Sequence, residues 1–130
     1  MKSKIIFYDR KMAIPVKTGI VTGYYGELMY IQFDKPYCLL NFTGKNRYMV
    51  EVSLQYIIDN LPEGMFLKCR RSAILNVCYC KELINTPPTA VMEDGVKIRL
   101  TKLNVWDLKY TAYPLRSSEK NCINLRHENR

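Results

Sequence analysis

The sequence predicts a mainly β domain with one short helix, and three observations support this prediction. Segments rich in Ile, Val, Tyr, Leu and Met recur roughly every 8–12 residues with turn residues between them, as in all-β proteins. One segment, residues 53–61, breaks this rhythm with apolar residues at helical spacing. The length of 130 residues fits one domain with a single core.

The first half of the chain contains six apolar segments that read as strands: residues 5–8, 12–16, 20–25, 27–34, 37–42 and 47–52. Between the last two lies Thr43-Gly44-Lys45-Asn46. Gly and Asn are the residues that tight hairpin turns favour. This is therefore the clearest hairpin that the sequence predicts.

The predicted helix begins after Ser53, a residue type that caps helix N-termini. Its apolar residues recur at helical spacing: Leu54, Ile57, Ile58 and Leu61. Pro62 and Gly64 follow, and both residue types end helices. The distance between these start and stop signals predicts a helix of roughly two to three turns.

The second half returns to strand-like segments at residues 66–75 and 78–85, after which Pro87-Pro88 excludes a continuous strand. Residues 90–92 and 96–100 flank Glu93-Asp94-Gly95, a second hairpin signal. Residues 103–110 fit a terminal helix or a further strand. We expect a domain over residues 1–113 and, over residues 114–130, a polar basic tail that is loosely attached.

Charge limits the class of partner. Against 12 Asp and Glu the chain has 20 Lys and Arg, a net charge of +8. Residues 114–130 hold four basic and two acidic side chains, so +6 remains on residues 1–113. A basic folded part favours a polyanionic partner, either nucleic acid or an anionic membrane surface.

The sequence offers no constellation for catalysis. Its one histidine, His127, lies in the polar tail, and its six glycines are scattered at turns. A histidine-based acid–base centre and a glycine-rich phosphate loop are therefore not expected. We predict no enzyme and no cofactor.

The five cysteines form no spacing typical of a disulfide framework, which favours reduced thiols and a cytoplasmic location. Cys78 and Cys80 have no second Cys/His pair at zinc-site spacing, so we expect core residues and no metal. The chain has no apolar run long enough for a transmembrane helix. The apolar run at its N-terminus is too short for a signal peptide.

Basic residues interleaved with polar and aromatic ones form three groups, in separate segments of the chain. Lys35-Pro36-Tyr37 lies at a predicted turn, and Arg70-Arg71-Ser72 interrupts the apolar stretch FLKCRRSAILN. Lys97, Arg99 and Thr101 would share one face of a strand, followed by Lys102. A solvated sheet face explains any one group, but three groups together favour a nucleic-acid surface.

Three stretches of the sequence resemble one known family. They read ELMYIQFDKPYCLL, VSLQYIIDNLPEGMFLKCRRSAILN and AVMEDGVKIRLTK. This order of motifs resembles the LytTR DNA-binding domain, the output module of LytR- and AgrA-type bacterial response regulators. The resemblance spans about residues 5–105, is strongest over 27–105, and is most specific over 53–76. The matching positions are Ser53-Leu54, Leu61-Pro62, Phe66, Arg71-Ser72 and Asn76, with conservative matches at Asp94-Gly95 and Thr101-Lys102.

The resemblance implies an elongated arrangement of three small antiparallel sheets whose loops enter successive major grooves of a direct-repeat site. It also implies a role for individual residues. Arg71 matches the main base-contacting position, Ser72 a phosphate-contacting position, and Tyr37 a position in the loop for the first groove. The full set of expected DNA contacts is Lys35, Tyr37, Arg70, Arg71, Ser72, Lys97, Thr101, Lys102 and Asn104.

Departures from the family pattern leave alternatives open. Thr101-Lys102 replaces Ser-Arg, which weakens bidentate base recognition there, and no receiver domain precedes the module in these 130 residues. We expect a transcription regulator that binds double-stranded DNA, as a homodimer or a cooperative pair, with a protein partner supplying the input signal. The main alternative is a protein-interaction or antagonist module that does not bind DNA. A single-strand binder that stacks bases on Tyr30, Phe33 and Tyr37 is a third hypothesis.

Overall fold

The computed structural model describes residues 4–110, and the predicted tail over residues 114–130 lies outside them. The described residues form two α-helices, α1 (Leu54–Asn60) and α2 (Lys102–Tyr110). They also form eleven strands: β1 (Ile6–Phe7), β2 (Lys11–Val16), β3 (Gly19–Tyr24), β4 (Leu28–Asp34), β5 (Tyr37–Phe42), β6 (Arg47–Val50), β7 (Phe66–Cys69), β8 (Ala73–Asn76), β9 (Cys80–Asn85), β10 (Pro88–Met92) and β11 (Lys97–Arg99).

The strands form three antiparallel sheets. The N-terminal sheet has the order β1-β2-β3, the central sheet β6-β5-β4-β8-β7, and the C-terminal sheet β11-β10-β9. Both predicted hairpins are present, because β5 pairs with β6 and β10 with β11. The predicted mainly β fold of small antiparallel sheets is confirmed.

Helix α1 begins as the sequence predicts. The Ser53 hydroxyl accepts a hydrogen bond from the backbone N–H of Tyr56 at 3.1 Å, which satisfies one of the free donors of the first turn. Leu54 and Ile57 are buried, so the helix packs its apolar face on the protein. Leu61 follows as the C-cap, and its N–H donates to the carbonyl of Ile57.

A second helix occupies the segment for which the sequence left helix and strand open. Leu108 of α2 is fully buried, whereas Leu103 and Trp106 are exposed. Across α2, therefore, the apolar residues do not all lie on the buried face. Strong amphipathic periodicity is the sequence signal for a helix, and its weakness here explains why the sequence alone did not decide.

The central sheet is buried on both faces. Ile31 and Ile74 belong to a first apolar cluster, which also holds Met12 and Ile14 of the N-terminal sheet and Ile57 of α1. The N-terminal sheet and α1 therefore cover the central sheet on this face.

The other face of the central sheet contributes Tyr30 and Leu75 to a second cluster. That cluster also holds Met92 and Ile98 of the C-terminal sheet and Leu108 of α2. The Tyr30 hydroxyl donates to the Asp94 carboxylate at 2.7 Å and so ties the central sheet to the β10–β11 turn. Burial, followed by the Asp94 carboxylate, raises the pKa of Tyr30 to about 12.

Asn76 ends β8 and is fully buried. Its side-chain Nδ2 donates to the carbonyl of Leu28 at 2.8 Å, and its Oδ1 accepts from the N–H of Cys78 at 2.9 Å. These bonds satisfy backbone groups where the chain leaves β8 and where β4 begins. The side-chain amide therefore replaces the hydrogen bonds that a continued sheet would supply.

Replacing Asn76 by alanine should lower the free energy of unfolding by about 2–4 kcal/mol, because buried backbone groups would lose their partners. Urea unfolding measures this loss. Asn60→Ala is the matched control, since the exposed Asn60 amide donates only to the carbonyl of Tyr56 on the helix surface. Equal losses for the two variants would contradict this role for Asn76.

Candidate nucleic-acid interface

Two hairpin tips lie side by side at one end of the central sheet, which we call the basic end. Strand β4 pairs with β8 so that Gln32 faces Ala73, and the N–H of Phe33 donates to the carbonyl of Ser72 at 2.8 Å. The β4–β5 turn therefore lies next to the β7–β8 turn. This pairing brings together two of the three basic groups noted in the sequence.

The β7–β8 tip is a short loop made of Arg70, Arg71 and Ser72. Its base is closed by the pairing of Cys69 with Ala73, and both of these residues are buried. All three loop residues are exposed. Buried neighbours therefore anchor an outward-projecting Arg-Arg-Ser turn.

Arg70 adopts a left-handed backbone conformation with φ 57°. A residue with a Cβ atom pays roughly 1–2 kcal/mol in this region of conformational space. Strain of this kind is found more often at functional sites than elsewhere. The loop therefore keeps a costly backbone conformation at the point where it presents Arg71.

The β4–β5 tip contributes Lys35 and Tyr37, which are both exposed. Tyr37 pairs with Asp34 at the end of the hairpin and leaves 37% of its surface accessible. A lysine and a phenol are thus available beside the Arg-Arg-Ser loop. Lysine can contact phosphate, and a phenol can donate to phosphate or to a base edge.

Residues 101–104 form the start of α2 and lie against β7. The N–H of Asn104 donates to the Thr101 hydroxyl at 3.0 Å, and the N–H of Thr101 donates to the Asn104 Oδ1 at 3.1 Å. This reciprocal pair is a capping box. The Asn104 Nδ2 also donates to the carbonyl of Lys68 at 3.3 Å, which places the start of α2 beside the strand that leads to Arg70.

The expected contacts at the start of α2 differ in their exposure. Thr101 and Lys102 are exposed, but Asn104 is buried with 7% of its surface accessible. Its amide is already bonded to the backbone, so the structure assigns Asn104 to capping α2 and to tying its start to β7. This explains Asn104 better than the direct DNA contact expected from the sequence.

Lys97 lies apart from the two hairpin tips. It pairs with Val91 next to the β10–β11 turn, and that turn contacts Tyr30 in the first half of β4, away from the basic end. Three residues lie between Lys97 and Thr101, so an extended chain places their Cα atoms about 13 Å apart. The structure therefore does not bring Lys97 together with the other predicted contacts.

Arg99 was part of the basic pattern in the sequence but was not among the expected contacts. It is exposed, like Lys97, while Ile98 between them is buried, which confirms the predicted alternation of this strand. Arg99 lies two positions from Thr101 on the same face. The period-2 pattern was the signal that could have placed it in the site.

The cations of the basic end are not neutralised by neighbours. Within residues 4–110, Lys35, Arg70, Arg71 and Lys102 form no side-chain hydrogen bond or ion pair. The available chemistry is positive charge, a hydroxyl and a phenol, which suits recognition of a polyanion.

The cysteines divide by environment. Cys38, Cys69 and Cys80 are free thiols, and burial raises the pKa of Cys69 to about 12. Cys78 packs against both apolar clusters, in agreement with the predicted core role. Among the described residues, no group of three or more His, Cys, Asp and Glu side chains could hold a metal ion.

The stacking platform of the third hypothesis is not formed. Tyr30 is buried with 2% of its surface accessible, and Phe33 packs against the first cluster, so only Tyr37 is exposed. The hypothesis that bases stack on these three rings is therefore wrong.

Comparison with known proteins identifies the family. The family model of the LytTr DNA-binding domain matches residues 20–111. The chain belongs to the LytTR family. LytTR domains bind DNA, and the family is not one of enzymes. The resemblance noted in the sequence is confirmed over most of its span.

The chain is also similar to one curated protein and to one solved structure. It is 27% identical over 104 residues to the sensory transduction protein LytT of Bacillus subtilis (strain 168), a match that covers 78% of this chain and 43% of LytT. The chain thus spans less than half the length of that relative. It also superimposes on the LytTr DNA-binding domain of a response regulator from Bacillus cereus with TM-score 0.66 and 19% identity, covering 78% of this chain and 96% of that one.

The LytTR match does not cover every strand of the N-terminal sheet. Strands β1 and β2 precede residue 20, whereas all of β3 except Gly19, together with the central and C-terminal sheets, lies within the match. The basic end is thus built entirely from residues within the LytTR match.

Within the described part of the chain, no helix is long and apolar enough to cross a membrane.

Arg70→Gly should be more stable than Arg70→Ala by about 1 kcal/mol, because glycine adopts a positive φ without the Cβ penalty that alanine retains. Both variants remove the same charge, so each controls for the other. Urea unfolding gives the difference. An alanine variant as stable as the glycine variant would show that the loop relaxes out of the left-handed conformation.

Proposed function

We propose that this LytTR domain is a sequence-specific transcription regulator that acts on double-stranded DNA. The observation that carries the proposal is the convergence of unpaired cations from two adjacent hairpin tips, together with the start of α2, at one end of a rigid sheet. The sites we expect are direct repeats. They would be filled by a homodimer or by a pair of chains that cooperate on DNA.

Arg71 is the residue best suited to read a base. It stands in the middle of an exposed loop whose two ends are fixed by buried residues, Cys69 and Ala73. The arginine fork can donate two parallel hydrogen bonds to O6 and N7 of guanine in the major groove. A fixed loop loses little conformational entropy when it forms these bonds.

The neighbouring groups are assigned to phosphates and to the second tip. Arg70, Ser72 and Lys102 carry the charge and the hydroxyl that phosphate contacts use. Lys35 and Tyr37 enter the groove beside them. Lys97, and Thr101 with its hydroxyl already engaged in the helix cap, contact the backbone at the margin of the surface, with Arg99 between them.

The proposed regulator acts where the chromosome lies, in the bacterial cytoplasm. Its input signal would come from a protein partner. The alternative is an interaction or antagonist module that has lost DNA binding. The two hypotheses differ in one measurable property, because DNA binding through cations must weaken as salt rises.

Replacing Arg71 by alanine should weaken binding to a cognate duplex by about 1–3 kcal/mol and relax sequence preference at one base pair. Selection of bound sequences from a random duplex pool supplies the cognate site, where we expect a direct repeat spaced by about two helical turns, roughly 21 base pairs. Equilibrium titration of that site and of single-base variants then measures the loss.

Lys45→Ala is the matched control for Arg71→Ala. Lys45 is an exposed cation at the β5–β6 turn, at the end of the central sheet opposite the basic end. It should bind as the unmodified protein does. If Arg71→Ala kept full affinity and selectivity, base recognition by Arg71 would be excluded. If the unmodified protein bound no duplex even at low salt, the interaction module would be favoured.

Lys97→Ala should weaken all DNA sequences about equally and reduce the slope of log affinity against log salt by about 1. The reason is that a lysine set apart from the hairpin tips can reach a phosphate but not the base edge read by Arg71. Titrations of cognate and scrambled duplexes over a series of salt concentrations test this. Loss confined to one base pair would show instead that Lys97 reads a base.

A further inference from the structure

The N-terminal sheet presents an apolar face to solvent. In this sheet Ile6 pairs with Ala13, Ala13 with Thr22, and Pro15 with Ile20. Because side chains alternate along a strand, these residues share one face, while Met12 and Ile14 on the other face are fully buried in the core. Tyr8 and Tyr24 extend the outward face, because Tyr8 bonds to Lys11 and Lys11 pairs with Tyr24.

The exposure of this face is large for apolar side chains. Ile6, Tyr8 and Ile20 keep 50%, 51% and 69% of their surface accessible. An antiparallel sheet with one solvated face normally places polar residues there. Ala13 on this face is buried and Thr22 is polar, so the exposed apolar area comes mainly from Ile6, Tyr8 and Ile20. Exposed apolar side chains grouped on one face are typical of a binding surface, and we call this face the outer face.

Lysines border the outer face. Lys4 precedes β1, Lys11 lies in β2, and Lys17 lies in the β2–β3 turn. Within residues 4–110 none of these three forms a side-chain hydrogen bond or ion pair. The outward strand positions carry no carboxylate, and Asp9 lies in the turn between β1 and β2.

We propose that the outer face docks on the surface of a bilayer that contains anionic lipids. The isoleucines would enter the boundary between headgroups and acyl chains, the tyrosines would lie at headgroup level, and the lysines would meet lipid phosphates. Burial of apolar area and attraction to charged lipid are the two terms that hold a peripheral protein on a membrane. This face provides both.

Charge decides between a membrane and a second copy of the chain. Two copies joined face to face would use the same surface twice, which would bring the bordering lysines of one copy close to those of the other. Like charges at such an interface oppose association. An anionic bilayer neutralises the same lysines, so the observations favour the membrane.

The proposed membrane contact goes beyond DNA binding and uses other residues. Strands β1 and β2 precede the LytTR match, which begins at residue 20, whereas Ile20 and Tyr24 of the outer face lie within it. The basic end lies on the central sheet, and the outer face on the N-terminal sheet. Membrane and DNA binding can therefore be separated by mutation.

Co-sedimentation with phosphatidylcholine vesicles, with and without phosphatidylglycerol, tests the proposal. We expect binding that requires phosphatidylglycerol and weakens with salt. Ile20→Ser should reduce partitioning about tenfold, since most of one apolar side chain no longer enters the bilayer. Lys17→Glu should reduce it by at least about fivefold at low salt.

Matched variants separate this surface from others. Met49→Ser removes a side chain that is 58% exposed on β6, away from the outer face, and should leave vesicle binding unchanged. Ile20→Ser should keep the circular dichroism spectrum and the DNA affinity of the unmodified protein. Binding that survives Ile20→Ser and Lys17→Glu but is lost in Arg71→Ala would assign the vesicle contact to the basic end and overturn the proposal.

Two further outcomes would also overturn it. The first is no sedimentation with phosphatidylglycerol vesicles at low salt. The second is a concentration-dependent dimer, seen by analytical ultracentrifugation and abolished by Ile20→Ser, in a protein that does not bind vesicles. That result would assign the outer face to a second copy of the chain.

Discussion

The pairing of β4 with β8 is the constraint on which the rest of this structure depends. It joins two hairpins that are distant in sequence, through the partners Tyr30–Leu75, Ile31–Ile74 and Gln32–Ala73. Both faces of this pair are buried in different clusters. A slip of one residue would exchange the two sets of side chains between the clusters, so the register is strongly determined. That register also sets the two basic tips side by side.

The basic end combines a rigid base with a polar tip that makes few internal contacts. Buried Cys69 and Ala73 close the Arg-Arg-Ser loop, and the cap formed by Thr101 and Asn104 ties α2 to the neighbouring strand through the carbonyl of Lys68. Such a site loses little entropy on binding because its support is already ordered. Its unpaired cations repel one another in the free protein. A polyanion relieves that repulsion, which is a physical reason for the proposed DNA binding there.

The two faces of the N-terminal sheet have different roles. Its inner face completes the first cluster, and the contact is so close that a Cβ atom on Gly23 would lie 2.5 Å from the Phe42 ring. Its outer face is apolar although it is exposed. A sheet with one buried face folds without help from a partner, so the outer face is not needed for the core. Its composition therefore reflects what the face contacts rather than how the domain folds.

The sequence by itself determined the local elements and the family. Ser53 as a helix cap, the turn at Gly44, which has φ 72°, and the alternation from Lys97 to Leu100 depend on neighbours along the chain, so composition and spacing reveal them. The motif order from the Leu-Pro stop to Arg71-Ser72 and Asn76 sufficed for the LytTR resemblance.

Only the tertiary structure decided which of these elements meet. The burial of Asn104 and the separation of Lys97 from the tips depend on how α2 and the C-terminal sheet pack on the central sheet. The helical state of residues 102–110 was decided in the same way, because burial of Leu108 supplies what their weak periodicity does not. The reason is physical: propensity acts over a few residues, whereas long-range pairing and burial fix which side chains share a surface.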